Sequence, residues 1–104
     1  MDDKELLTLA AKAAGIDVKW VRNSGAFYYD NEETGHEIFD PLTDDGDALR
    51  LAVKLGIEVN FARSLSRTYV NYRFIALYEM HENDPYSATR RAIVRAAAEI
   101  GRGM

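Results

Sequence analysis

Four aspartates, Asp40, Asp44, Asp45 and Asp47, fall within one short stretch of this 104-residue chain. Clustered carboxylates are the groups that hold a hard divalent cation, and with a histidine such as His36 they could activate water for hydrolysis of a phosphoester or related bond. The spacing does not fit a calcium loop. With Gly46 at the invariant glycine, the first and last ligand positions fall on Pro41 and Ala52, which offer no carboxylate. The run Asp40-Pro41-Leu42-Thr43-Asp44-Asp45-Gly46-Asp47 reads more simply as a helix start. Thr43, Asp44 or Asp45 can accept from free N–H groups there, and aspartates complement the positive end of the helix dipole. Asp44, Asp45 and Asp47 are the metal-ligand candidates beside that simpler role.

The remaining chemistry-bearing residues form no known catalytic pattern. His36-Glu37 and His81-Glu82 both lack the second histidine four residues on that a zinc-protease helix needs. His36 with Asp40, or His81 with Asp84, could act as a general-base pair, but a solvent-exposed loop histidine is the simpler expectation for each. No serine lies in a Gly-x-Ser-x-Gly turn, and the chain has neither a P-loop nor a dinucleotide glycine fingerprint. Cysteine is absent, which removes disulfides, thiolate nucleophiles and cysteine metal sites. No catalytic residue and no cofactor is assigned, and a non-enzymatic protein is favoured.

Arginines and tyrosines supply the other candidate surface. Arg63, Arg67, Tyr69 and Arg73, with Tyr28, could line an exposed sheet face suited to protein hot spots or to single-stranded nucleic acid. Against this stands ordinary core packing, with tyrosine rings inside and hydroxyls at the edge, and Trp20 is read as core in the same way. A net charge of −4 disfavours a broad phosphate-binding surface. The charge is uneven, however: residues 1–55 carry six basic and twelve acidic side chains, residues 56–104 seven and five. A local arginine patch remains compatible with that balance.

The elements that would position these residues follow from periodicity. A helix is expected over Asp3–Ala14, with Leu6, Leu9, Ala10 and Ala13 on its apolar stripe and Gly15 as its stop. Ile16, Val18 and Trp20 alternate as a strand, and a turn at Asn23-Ser24-Gly25 leads into a second over Ala26–Tyr29. A short extended piece, His36–Phe39, precedes Pro41. The second helix carries Ala48, Leu51, Ala52 and Leu55 inward and ends at Gly56. Ile57, Val59 and Phe61 mark the next strand. From Arg67 to about Tyr78, one long strand, or a strand with a bend, places Val70, Tyr72, Phe74, Ala76 and Tyr78 on one face. Asp84 as N-cap and Pro85 at the first helical position open a third helix to about Ile100, with Gly101 and Gly103 marking its end.

These elements predict a single α+β domain spanning residues 1–104. Its order is α-β-β-(β)-α-β-β-α, with three helices packed on one mainly antiparallel sheet of four to five strands. Composition agrees, at 47% hydrophobic and 29% charged residues. The sequence shows no evident internal repeat beyond a loose parallel between its two helix-then-hairpin halves. An acidic start unlike a secretory signal, and no apolar run long enough to span a bilayer, make the cytoplasm the expected location.

Four short segments resemble a known group of proteins. Phe39-Asp40-Pro41, Asp47-Ala48, Gly56-Ile57 and Asp84-Pro85 with Ala88 resemble the pattern of the NinX-like and phage α/β/α-sandwich (ABA) families of small phage and prophage proteins. The resemblance covers about half the chain and does not extend to residues 62–83. It implies phage provenance, the cytoplasm of a bacterial host and an accessory role in infection, and it brings no catalytic residues with it. The function expected is a non-enzymatic interaction protein whose partner is a host or phage protein. The alternatives are a small metal-dependent hydrolase or nuclease using residues 40–47, and a weak nucleic-acid binder. A homodimer through an uncovered sheet edge or face is also open.

Overall fold

A computed structural model describes all residues, 1–104. Three helices alternate with two β-meanders. The order is α1 (Asp3–Ala14), β1 (Lys19–Val21), β2 (Ala26–Asn31), β3 (Gly35–Phe39), α2 (Asp45–Leu55), β4 (Glu58–Ala62), a short 3-10 turn at Arg63–Leu65, β5 (Arg67–Tyr72), β6 (Ile75–Met80) and α3 (Pro85–Arg102). The fold is α+β as expected, but the single four- to five-stranded sheet is not found. Strands β1-β2-β3 form one antiparallel sheet and β4-β5-β6 a separate one. Alternation along a strand identifies its two faces but not its neighbours, so the sequence pattern could not distinguish one sheet from two.

The helix ends are built alike. Asp2, Asp44 and Asp84 each accept a hydrogen bond from the backbone N–H three residues on, at 2.8, 2.8 and 3.1 Å. Each cap satisfies a donor that the first helical turn leaves free. Gly15 and Gly56 close α1 and α2 in the left-handed region, at φ 70° and 74°. In each case the following isoleucine N–H returns 2.9 Å to a carbonyl of the last turn, Ile16 to Ala11 and Ile57 to Ala52.

This likeness is part of an internal repeat. Gly15-Ile16-Asp17-Val18 and Gly56-Ile57-Glu58-Val59 lie 41 residues apart, and the same offset brings Trp20 onto Phe61, Arg22 onto Arg63 and Tyr28 onto Tyr69. Strand register obeys it too: Lys19 pairs with Tyr28 and Trp20 with Phe27, as Asn60 pairs with Tyr69 and Phe61 with Thr68. The halves thus share one helix-plus-meander unit, and α3 follows the second. Few identities survive outside the turn after each helix, which is why the sequence alone shows only a loose parallel.

α3 is the hub. It packs on α1, α2, β5 and β6, and Ala88, Ala92, Ile93, Val94, Ala96, Ala97, Ala98 and Gly101 are all buried along it. One cluster of 19 buried residues joins the three helices to Phe27 and Phe39 of the first sheet and Val70 of the second. The alanines serve the α1–α3 contact as well as the approach to the sheet. Gly101 lies inside the helix, against α1, and does not mark its end. No helix is long and apolar enough to cross a membrane.

Candidate interaction surface

The acidic run is a folded structural joint. Asp44 caps α2, and Asp47 accepts from the backbone N–H of Asp40 at 2.9 Å and from Arg50 at 2.6 Å. Asp45 pairs with Arg90 at 2.6 Å, and Arg90 also donates to the Leu42 carbonyl at 2.8 Å, tying the segment before α2 to α3. Hydrogen bonding to Asp47 raises the Arg50 guanidinium above its ordinary value, so this cation stays charged. The carboxylates of Asp44, Asp45 and Asp47 therefore face backbone donors and guanidinium groups, and that of Asp40 accepts from the Thr43 hydroxyl. His36 lies elsewhere, 2.8 Å from Asp30 on the first sheet, and no three histidine or carboxylate side chains converge as a metal-binding group.

Neither histidine forms a carboxylate pair with Asp40 or Asp84, the alternative to an exposed loop residue. His36 sits in β3 and meets Asp30 across the β2–β3 pair instead of Asp40. His81 is buried, not a wet loop residue. Its Nε2 lies 2.8 Å from Thr68 Oγ1, which lies 2.7 Å from Thr89 Oγ1, and Phe61 stacks on the imidazole at 4.6 Å. This chain of polar groups lies where β5 meets α3, and it contains no carboxylate to polarise the ring.

Register decides which residues the second sheet exposes. Val59, Phe61, Thr68, Val70, Leu77 and Glu79 share the face toward the helices. The opposite face carries Asn60, Tyr69 and Tyr78 in one row, with Ala62, Arg67 and Met80 in the next. No element covers this face, and Tyr78 and Met80 are exposed. Tyr69 and Tyr78 lie 5.8 Å apart with rings tilted at 45°, and the Arg67 guanidinium sits 5.0 Å from the Tyr78 centroid, the separation at which a cation is attracted to the ring face. Arg67 reaches the Tyr69 hydroxyl at 3.5 Å, and its buried Nε has no hydrogen-bond partner.

The structure thus brings Arg67 and Tyr69 together, with Tyr78 beside both, and separates the other candidates. Arg73 sits at the two-residue β5–β6 turn in the left-handed region, φ 52°, with its guanidinium 5.3 Å from Tyr72, beside a fully exposed Phe74. Arg63 lies in the 3-10 turn, lining a groove between α2, β4 and α3. Tyr28 occupies the repeat-equivalent place of Tyr69 on the first sheet, opposite Lys19 and Ile38.

Tyr78 was hidden by the expectation of one long strand. In a continuous strand Tyr78 shares a face with Val70; with a turn at Arg73-Phe74, it pairs with Tyr69 and moves to the open face. An aromatic-rich run of twelve residues in which two consecutive residues can form a hairpin turn was the available signal. Trp20 departs from its core assignment as well: it packs edge-on to Phe27 at 4.9 Å but is exposed, with Lys4 Nζ 4.5 Å above its ring. Comparison with protein-family models, curated proteins and solved structures found no match.

Proposed function

We propose that this chain is a non-enzymatic accessory protein of phage or prophage origin, acting in the cytoplasm of a bacterial host by binding a host or phage protein. The observation that carries the binding role is the uncovered face of the β4-β5-β6 sheet, where Arg67, without an ion-pair partner, rests beside Tyr69 and Tyr78. Tyrosine and arginine dominate the energetics of protein interfaces because they bring large contact area with directed polar ends. A partner carboxylate would supply the ion pair that this guanidinium lacks. The phage provenance rests on the resemblance of Phe39-Asp40-Pro41, Asp47-Ala48, Gly56-Ile57 and Asp84-Pro85 to the NinX-like and ABA-sandwich groups.

The hydrolase alternative loses its support with the engagement of Asp44, Asp45 and Asp47 in caps and arginine pairs. Affinity capture from infected and uninfected cells tests the proposal. A specific protein should be retained by the wild-type chain and by Tyr28→Ala, and lost with Arg67→Ala/Tyr78→Ala. Equal retention by the patch variant, or capture of nucleic acid alone, would refute it.

A further inference from the structure

The two edges of the second sheet are treated differently. At β6, Arg95 of α3 donates to the Tyr78 carbonyl at 3.2 Å and pairs with Glu79, so the helix guards that edge. At β4, every hydrogen bond made by the strand runs to β5, and its outer row of N–H and C=O groups has no partner. A free edge of five residues is a template for another strand. The first sheet exposes less: β1 is three residues long, and β3 carries Glu37 and His36, the latter paired with Asp30 of β2.

Beside the open β4 edge runs an apolar groove of about 800 Å³, floored by Val59 and Phe61 of β4, Leu49 of α2 and Tyr86 of α3. Leu49 is 63% exposed, and Val53, one turn further on the same helix, is 73% exposed. The internal repeat supplies a control within the same molecule. At the positions equivalent to Leu49 and Val53, α1 carries Thr8 and Lys12, while Trp20, the counterpart of Phe61, is exposed with Lys4 Nζ 4.5 Å over its ring. The helix of this unit therefore does not require apolar residues at those two positions, yet α2 has them next to an unguarded edge.

We infer that β4 is the interface of a symmetric homodimer, in which β4 pairs antiparallel with β4 of a second copy and the α2 helices meet beneath the joined sheet through Leu49 and Val53. The sequence of β4, Glu58-Val59-Asn60-Phe61-Ala62, is self-complementary about Asn60. Centred there, Val59 faces Phe61 of the second copy twice on the groove side, a favourable β-branched–aromatic cross-strand pair. Glu58 faces Ala62, so no like charges oppose each other. Arg63, which has no ion pair within the chain, comes to the end of the strand where Glu58 of the second copy begins. A two-fold axis requires one patch to complement itself, and this strand and helix stripe do so. The product is one six-stranded sheet with both Arg67–Tyr69–Tyr78 patches on a single face.

Sedimentation velocity of the full chain should give twice its 11.7 kDa mass. Leu49→Glu/Val53→Glu, which changes two exposed helix positions and leaves the core intact, should return it to monomer. Thr8→Glu/Lys12→Glu, the equivalent change in the first repeat, should not. Because the chain has no cysteine, Asn60→Cys places a single thiol on the axis, where opposed Cα atoms about 4.5–5.5 Å apart suit a disulfide. Mild oxidation should cross-link that variant quantitatively, and Glu58→Cys, with its partner thiol about 13 Å away along the strand, should stay reduced. A monomer at high micromolar concentration overturns the inference. So does a dimer that survives Leu49→Glu/Val53→Glu and does not cross-link through Asn60→Cys.

Discussion

Replacing Gly101 by alanine tests how the three helices hold together. A Cβ built at Gly101 would lie 2.0 Å from the Leu9 carbonyl oxygen and 2.9 Å from its carbon. The obstacle is backbone, so no rotamer change relieves it, and α1 must move by more than 1 Å relative to α3 to restore contact distance. In an exposed helix Gly→Ala gains about 1 kcal/mol of propensity. Overpacking a tight core costs about 1–3 kcal/mol, and a backbone clash belongs at the upper end. The expected net loss is roughly 2 kcal/mol, which for a domain of this size lowers the melting temperature by on the order of 10 °C. Differential scanning calorimetry measures it, with Gly103→Ala as control, since a Cβ there meets nothing nearer than 3.6 Å. Adding Leu9→Ala should not rescue Gly101→Ala, because the clash is with the Leu9 carbonyl. A Gly101→Ala protein as stable as wild type would refute the close α1–α3 approach.

Thr68→Val keeps the shape of a fully buried side chain but removes the oxygen shared by His81 and Thr89. It should cost about 1–3 kcal/mol in urea titration, the range for stranding buried polar groups. Arg90→Met, which loses both the Leu42 carbonyl and Asp45, should destabilise by about 2 kcal/mol and speed amide exchange in residues 40–45 relative to α1. Asp84→Ala should cost about 1 kcal/mol as the loss of one N-cap, while Asp84→Asn should retain most of the stability.

Local chemistry carried much of the fold into the sequence. The bounds of α1, the capping of α2 and the Asp84-Pro85 start of α3 were all legible, because caps and stops act within a few residues. Pairing was not. The hairpin at Arg73-Phe74 lacks the Asn-Gly or Gly that marks a tight turn, and it instead holds a non-glycine residue at positive φ. Missing that turn inverted the face assigned to Tyr78 and so removed half of the tyrosine pair from the candidate surface. The burial of His81 was equally hidden, since its partner Thr68 is remote in sequence and meets Thr89 only when β5 docks on α3.

The repeat explains why the two sheets differ inside. At equivalent inward positions the first sheet carries Phe27 and Tyr29, the second Thr68 and Val70. α3 lies close against β5 and β6, whereas no helix lies comparably close to the first sheet. Small residues permit the first arrangement, and large aromatics span the wider gap of the second, because side-chain volume must fill the space between layers at constant density. A helix placed tightly on β5 and β6 leaves β4 beyond its reach, so Val59 and Phe61 are left at the open margin of the sheet. The position of α3 therefore decides that Val59 and Phe61 are exposed, and the apolar side chains of Leu49 and Val53 beside them, which α1 does without, are what we assign to a second copy of the chain.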